Sequence, residues 1–130
     1  SLYEINMSKE YSISDLAQEF DITTRTIRFY EAEELLHPTR KGQTRIYDDQ
    51  DRVRLKLILR GKRLGFSLSE SKELITLYDP SSQNTKQLNR FLEKINERRG
   101  SLQQQLEDIK IMQHELDEAE ARCKNALKAL

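Results

Sequence analysis

Arg25, Arg28 and Phe29 recur at i, i+3 and i+4 within DITTRTIRFYEAEELL, a spacing that sets two cations and an aromatic ring on one face of a helix. Further along, PTRKGQTRIYDD carries Arg40, Arg45 and Tyr47, alternating where residues such as Thr39, Thr44 and Ile46 favour strands. Guanidinium and phenol groups placed this way hydrogen-bond phosphate oxygens, and cations leading a helix can reach base edges. No chemistry of bond-making competes with that reading. The sequence shows no paired nucleophile and base, no glycine-rich phosphate loop and no metal constellation, so an enzyme is not expected and no cofactor is implied.

The elements that must position these residues follow from local spacing. YSISDLAQEF reads as a short amphipathic helix capped by Ser12 or Ser14, with Ile13, Leu16, Ala17 and Phe20 on its apolar side. A second helix begins after Ile22 with Thr23 or Thr24 as its cap, and Ile27 and Leu35 point away from the cationic face. Only three or four residues separate the two, the spacing of a helix-turn-helix whose second helix enters the major groove N-terminus first. Pro38 stops that helix, and PTRKGQTRIYDD then reads as a β-hairpin tipped by Lys41 and Gly42, a wing beside the helix-turn-helix. Asp49 or Asp51 opens a third helix striped by Val53, Leu55, Leu57, Ile58 and Leu64 and ending near Gly65. SLSESKELITLYD starts a fourth, capped by Ser67 or Ser69 and closed by Asp79-Pro80.

Beyond the polar linker PSSQN, apolar residues repeat every seven positions: Leu88, Ile95, Leu102, Ile109, Leu116, Cys123 and Leu130. Phe91, Met112, Ala119 and Ala126 fit the second seam position, whereas Arg98 and Gln105 interrupt it, and Gly100 at the interruption predicts a bend or a shift of packing. A helix of that length cannot cover its own stripe, and a second copy of the chain is the simplest partner.

Composition bounds the rest. The 130 residues suffice for one small domain with an extended helix; 34% are charged, and Trp is absent. No apolar run approaches the roughly 18 residues of a membrane span, and a lone cysteine cannot form an internal disulfide, so the expectation is a soluble cytoplasmic protein with no membrane partner. SLYEIN, ahead of Met7, is set aside from the fold, and residues 1 to 11 are taken as an N-terminal extension. The formal net charge is zero, yet residues 40 to 63 hold nine Lys and Arg against three Asp. A polyanion responds to the sign of the surface it faces rather than to the total, although from charge alone a solvated helix face explains the run equally well. Arg60, Lys62 and Arg63 also complement the end of a helix dipole, and Arg52, Arg54 and Lys56 are expected to be solvated or paired with Asp48, Asp49 and Asp51.

ISDLAQEFDITTRTIRFYE, LLHPTRKGQTRIYDDQD and RLGFSLSESKELITLYD resemble the MerR family of bacterial transcription regulators over nearly all of residues 12 to 79. The coil through Cys123 resembles the dimerisation helix of its small metal-sensing members. The resemblance implies a mainly α fold: a winged helix-turn-helix domain at 12–79, then a linker and coiled-coil helix at 80–130 that forms an antiparallel homodimer. It implies double-stranded promoter DNA as partner, an overlong spacer that the dimer kinks and untwists, and RNA polymerase as the reader of the result. It places DNA contacts at Arg25, Arg28, Phe29, Tyr30, Arg45, Tyr47 and Lys62; Thr24, Arg40 and Gly42 complete the candidate set.

Two departures stand out. Family members carry glycine where this chain has Glu34, so the second helix is expected to end differently. Metal sensors in the family use two or more cysteines, and here Cys123 has no partner; His37 and His114 do not replace one, and four thiolates for an iron–sulfur cluster are absent. Drug sensors carry a large domain after the coil, and with the sequence ending at Leu130 no segment is expected to form such an effector pocket; the effector small molecule is unidentified. The DPSS linker, RRGSLQQQLEDI and ELDEAEARC look closest to the subgroup controlling branched-chain amino-acid and isovalerate breakdown. Two alternatives stay open: a coiled-coil adaptor that binds protein, and, within the regulator reading, a metal signal through Cys123.

Overall fold

The structure, a computed structural model, describes residues 9–130; SLYEIN lies outside the described residues. It divides into two compact units between Leu88 and Asn89. In the first, helix α1 (Ile13–Phe20) is followed by α2 (Thr24–Ala32), a hairpin of β1 (Thr39–Lys41) and β2 (Thr44–Ile46), α3 (Asp49–Arg63) and α4 (Leu68–Leu77). Helix α5 (Thr85–Lys128) begins there and makes up the second unit.

Reciprocal side-chain caps start three of these helices. Ser12, rather than Ser14, accepts from Asp15 N at 3.0 Å, and Asp15 accepts from Ser12 N at 3.0 Å. The same box forms between Ser67 and Glu70 ahead of α4. At α3 the cap is Asp48, one residue ahead of the expected Asp49 or Asp51, and Asp51 is its reciprocal partner. Each such pair satisfies two backbone donors that a helix start leaves orphaned. Asp51 also accepts from His37 N at 3.1 Å, which ties the loop after α2 to the start of α3. Burial pushes the Asp51 carboxyl above the usual carboxylate range, against the pull of its backbone donors.

The turns are set by left-handed residues. Asp21, at φ 53°, closes α1, and Ile22 N donates back to Ala17 O at 3.0 Å, so three residues join α1 to α2. Thr23 caps α2 through Thr26 N at 3.1 Å. Helix α2 ends in the same way: Leu35 N reaches Tyr30 O at 2.9 Å, Glu34 N reaches Glu31 O at 3.0 Å, and Glu34 sits at φ 62°. The expectation of a different helix end at Glu34 is therefore corrected. Glu34 keeps the conformation a glycine would hold, because the buried Leu35 and Leu36 behind it require the reversal. It is this turn, not Pro38, that stops α2.

The hairpin is antiparallel, with Thr39 opposite Ile46, Arg40 opposite Arg45 and Lys41 opposite Thr44. Gly42, at φ 64°, supplies the positive dihedral a two-residue turn needs. Tyr11 exchanges backbone bonds of 2.8 and 2.9 Å with Tyr47, and its hydroxyl donates to Asp49 at 2.8 Å. Tyr11 thus belongs to the folded domain and not to an extension. The core gathers Leu16, Ile27, Tyr30, Leu35, Leu36, Tyr47, Leu55, Ile58 and Ile75; Leu64, expected on the α3 stripe, is 43% exposed. At Gly61 a Cβ would come within 2.7 Å of Ser71 Oγ, so the absence of a side chain lets α3 and α4 approach.

Arg52 does not pair with the aspartates of its own helix. Its Nε donates to both carboxylate oxygens of Glu19, at 2.9 and 2.8 Å, which joins α3 to α1. That guanidinium holds the Glu19 carboxyl below the usual carboxylate range. Arg54 does meet Asp51, at 3.5 Å, and Lys56 is exposed. At the far end of the unit, Gln87 Nε2 donates to Leu74 O at 3.0 Å and fixes the first turn of α5 to α4.

Helix α5 runs 44 residues, about 66 Å at 1.5 Å per residue. Gly100 lies inside it, and the helix is continuous there. Its seam residues Leu102, Ile109 and Leu116 are 50%, 51% and 65% exposed.

Glu34 holds a left-handed conformation that costs a side-chain-bearing residue about 1–2 kcal/mol. Replacing it, Glu34→Gly, is expected to stabilise the protein by about 1 kcal/mol after allowing for the greater freedom of glycine in the unfolded chain. The urea midpoint should rise with an unchanged slope; a fall would show that the Glu34 side chain itself holds the turn.

Candidate nucleic-acid interface

Helix α2 has two faces. Ile27 and Tyr30 are buried, while Arg25, Arg28 and Phe29 are exposed and Thr24 is half-buried. The capped N-terminus carries the positive end of the helix dipole, so both arginines project near the end that favours anions. The Phe29 ring lies 5.6 Å from that of Tyr30, the two tilted at 56°.

Glu31, one residue past Tyr30, organises the wing. Its carboxylate accepts from Arg45 Nε at 2.6 Å and from Arg40 Nη2 at 3.3 Å. Arg40 and Arg45 face each other across the hairpin, where like charges repel. Glu31 removes that repulsion and fastens the wing to α2. Arg40 remains half exposed, with half-buried Arg45 beneath it and Gly42 exposed at the tip. The sequence offers no local signal for Glu31, because its partners lie 9 and 14 positions away.

Lys62, from α3, is brought against the same helix: it shares with Phe29, Tyr30, Ile58 and Phe66 the lining of a 260 Å³ groove. Most of the expected contact residues are therefore surface groups of one face of the domain or of the wing attached to it.

Tyr30 and Tyr47 are the exceptions. Tyr30 is 4% exposed and Tyr47 fully buried, so both rings are core members rather than surface contacts. The backbone bridge to Tyr11 draws Tyr47 inward, and its hydroxyl is buried with no hydrogen-bond partner among the described residues. Burial pushes the Tyr47 phenol up to about 12 and raises that of Tyr30 as well. The alternation of the hairpin is right, but the size of the ring outweighs its polar tip.

Comparison with known proteins decides the assignment. A family model for the MerR HTH family regulatory proteins matches residues 11–77, and one described as MerR, DNA binding matches residues 52–119. The chain belongs to the MerR family. The HTH-type transcriptional regulator CueR of Escherichia coli O6:H1 is 33% identical over 108 residues, covering 81% of this chain and 77% of the relative. A MerR family regulator from Bacillus cereus aligns with a TM-score of 0.63 at 28% identity, covering 85% of this chain and 79% of that one. The lead(II) complex of PbrR691 from Ralstonia metallidurans CH34 aligns with a TM-score of 0.62 at 25% identity, covering 82% of each. The protein is accordingly a DNA-binding transcription regulator of the MerR type.

Removing the charge that holds the wing, Glu31→Gln, frees two arginines and loosens their placement. Discrimination between a selected duplex and a scrambled one is expected to fall about 2- to 5-fold, the size of a partly exposed ion pair. Fluorescence anisotropy on both duplexes reads the ratio; an unchanged ratio would mean the hairpin is placed without Glu31.

Proposed function

We propose that this MerR regulator acts in the cytoplasm as a homodimer on a pseudo-palindromic promoter spacer. In this reading the domain of residues 12–79, extended to include Tyr11, binds DNA, and residues 80–130 supply the linker and an antiparallel coiled coil. The observation that carries it is the exposed pair Arg25 and Arg28 at the leading end of α2, beside a wing latched to the same helix. Arg25 and Arg28 read or position the major groove; Thr24, Phe29, Arg40, Gly42, Arg45 and Lys62 hold the backbone. Tyr30 and Tyr47 support that surface from beneath. The uncovered seam of Leu102, Ile109 and Leu116 supports a second copy as the partner of α5, and a two-fold dimer matches two half-sites. Distortion of the spacer then presents both promoter elements to RNA polymerase.

The signal is a small metabolite, and the DPSS linker with the RRGSLQQQLEDI and ELDEAEARC segments supports the branched-chain amino-acid and isovalerate subgroup. Cys123 is the single thiol of this sequence and is exposed on α5. One soft ligand does not define a selective soft-metal site.

Arg28→Ala is expected to weaken binding to the selected promoter duplex by about 5- to 150-fold, the 1–3 kcal/mol of a base contact. Binding should also fall steeply with salt, because neutralised phosphates release counterions. Equal binding to promoter and random DNA, or a flat salt response, would favour the adaptor reading instead.

A reporter driven by the target promoter tests the signal. Cys123→Ser is expected to leave induction by the metabolite intact; loss of induction would restore the metal reading.

A further inference from the structure

The cations of α3 divide into two sets. Arg52 and Arg54, in its first half, are held by Glu19 and Asp51. Lys56, Arg60, Lys62 and Arg63, in its second half, form no ion pair with any described residue; Glu19, the acid whose field reaches Lys56, is already bound to Arg52. All four line a groove of 580 Å³ whose remaining described walls are Phe20, Ile22 and Leu59, with no acid among the described lining residues. Dipole complementation accounts for cations in the last turn of α3, but not for Lys56, which lies before it, nor for a groove built partly from α1 and the turn after it.

Lys62 also lines the second groove, against Phe29 and Tyr30 of the recognition helix. The two grooves therefore meet at one cation, and the positive surface continues from α2 over Lys62 onto Arg60, Arg63 and Lys56. Lys56, Arg60 and Arg63 recur at i, i+4 and i+7, along one face and over about 10 Å of helix, the axial length of about three phosphates on one strand. Phe20, Ile22 and Leu59 provide apolar surface for long cationic stems, which leaves the charges in water.

We propose that this groove is a track for the DNA backbone flanking each half-site, with Lys56, Arg60 and Arg63 contacting phosphates beyond the segment read by α2. The inference rests on the DNA-binding reading and extends its footprint outward. Its continuity with the recognition helix through Lys62 favours DNA over an acidic protein segment. The contacts are to phosphates, so the track adds affinity and fixes the direction of the flanking duplex without adding sequence preference.

The test uses the full dimeric chain and a duplex that the wild type enriches from a random-sequence pool. The duplex is trimmed to the protected core or extended on each side by about one helical turn, 10 base pairs. Anisotropy titrations at several salt concentrations compare the wild type with Arg60→Gln/Arg63→Gln and with Arg60→Lys/Arg63→Lys. The wild type is expected to bind the extended duplex more tightly, with a salt slope steeper by about 0.9 for each added phosphate contact. The glutamine variant should match the wild type on the trimmed duplex and gain nothing from extension, and the lysine variant should recover the gain. The proposal is overturned if the glutamine variant gains as much as the wild type. It is equally overturned if that variant loses the same factor on both duplexes, or if polyglutamate binds the wild type, and not the variant, with the extended duplex saturating. Should no sequence be enriched at all, it is the DNA-binding reading that fails.

Discussion

A two-stranded hairpin is marginal in water, and this one places two arginines opposite each other. Placing the hairpin requires that repulsion to be offset, and the group that offsets it belongs to α2. Glu31 accepts from Arg45 at 2.6 Å with both side chains mostly withdrawn from solvent, a geometry in which a charged hydrogen bond keeps much of its strength. The wing therefore has no orientation of its own. It takes the orientation of α2, and Arg40 is presented where α2 puts it. The second attachment, the Tyr11–Tyr47 bridge, ties the base of the hairpin to the chain entering α1. Helix-turn-helix and wing are thus held rigidly to one another.

That rigidity is inherited from helix ends more than from helix interiors. Serine or aspartate caps with acids three residues on start α1, α3 and α4, and left-handed residues end α1 and α2. An end defined by several hydrogen bonds fixes the exit direction of the chain, and hence the angle of the next helix. Asp21 suits a left-handed position because its short polar side chain tolerates it. Glu34 has no such advantage, yet it is held there by two backbone bonds and by the burial of Leu35 and Leu36 behind it. Tertiary packing has overridden a local preference at that one turn, at a cost the core can carry.

Most local patterns agree between sequence and structure, although Pro38 does not stop α2 and Leu64 of the α3 stripe lies exposed. Apolar spacing places α1 through α4, cap residues are identified to within one position, and the hairpin forms around Gly42 as its turn chemistry requires. Further disagreements arise where a distant partner decides. Tyr47 reads as a surface phenol from its neighbours in sequence, but Tyr11 draws it into the core. Arg52 has acids nearby on its own helix, but Glu19, 33 positions away, has the better geometry. Glu31 carries no signal because its role exists only once the hairpin folds back on α2. The exposed arginines of the interface were legible because helical periodicity alone decides which face they occupy.

The same sorting explains how a chain of zero net charge can bind a polyanion. Acids on α1, α2 and early α3 are spent on cations that serve the fold: Glu19 on Arg52, Glu31 on Arg45 and Arg40, Asp51 on Arg54. Among the described residues, Arg25 and Arg28 on α2 and the cations in the second half of α3 have no such partner. A uniformly basic protein would bind any duplex, since phosphate contacts carry no sequence information and dominate non-specific affinity. Pairing offsets the cations that serve the fold, while Arg25, Arg28 and the cations late in α3 remain exposed. Neutrality in the sum therefore does not argue against binding a polyanion.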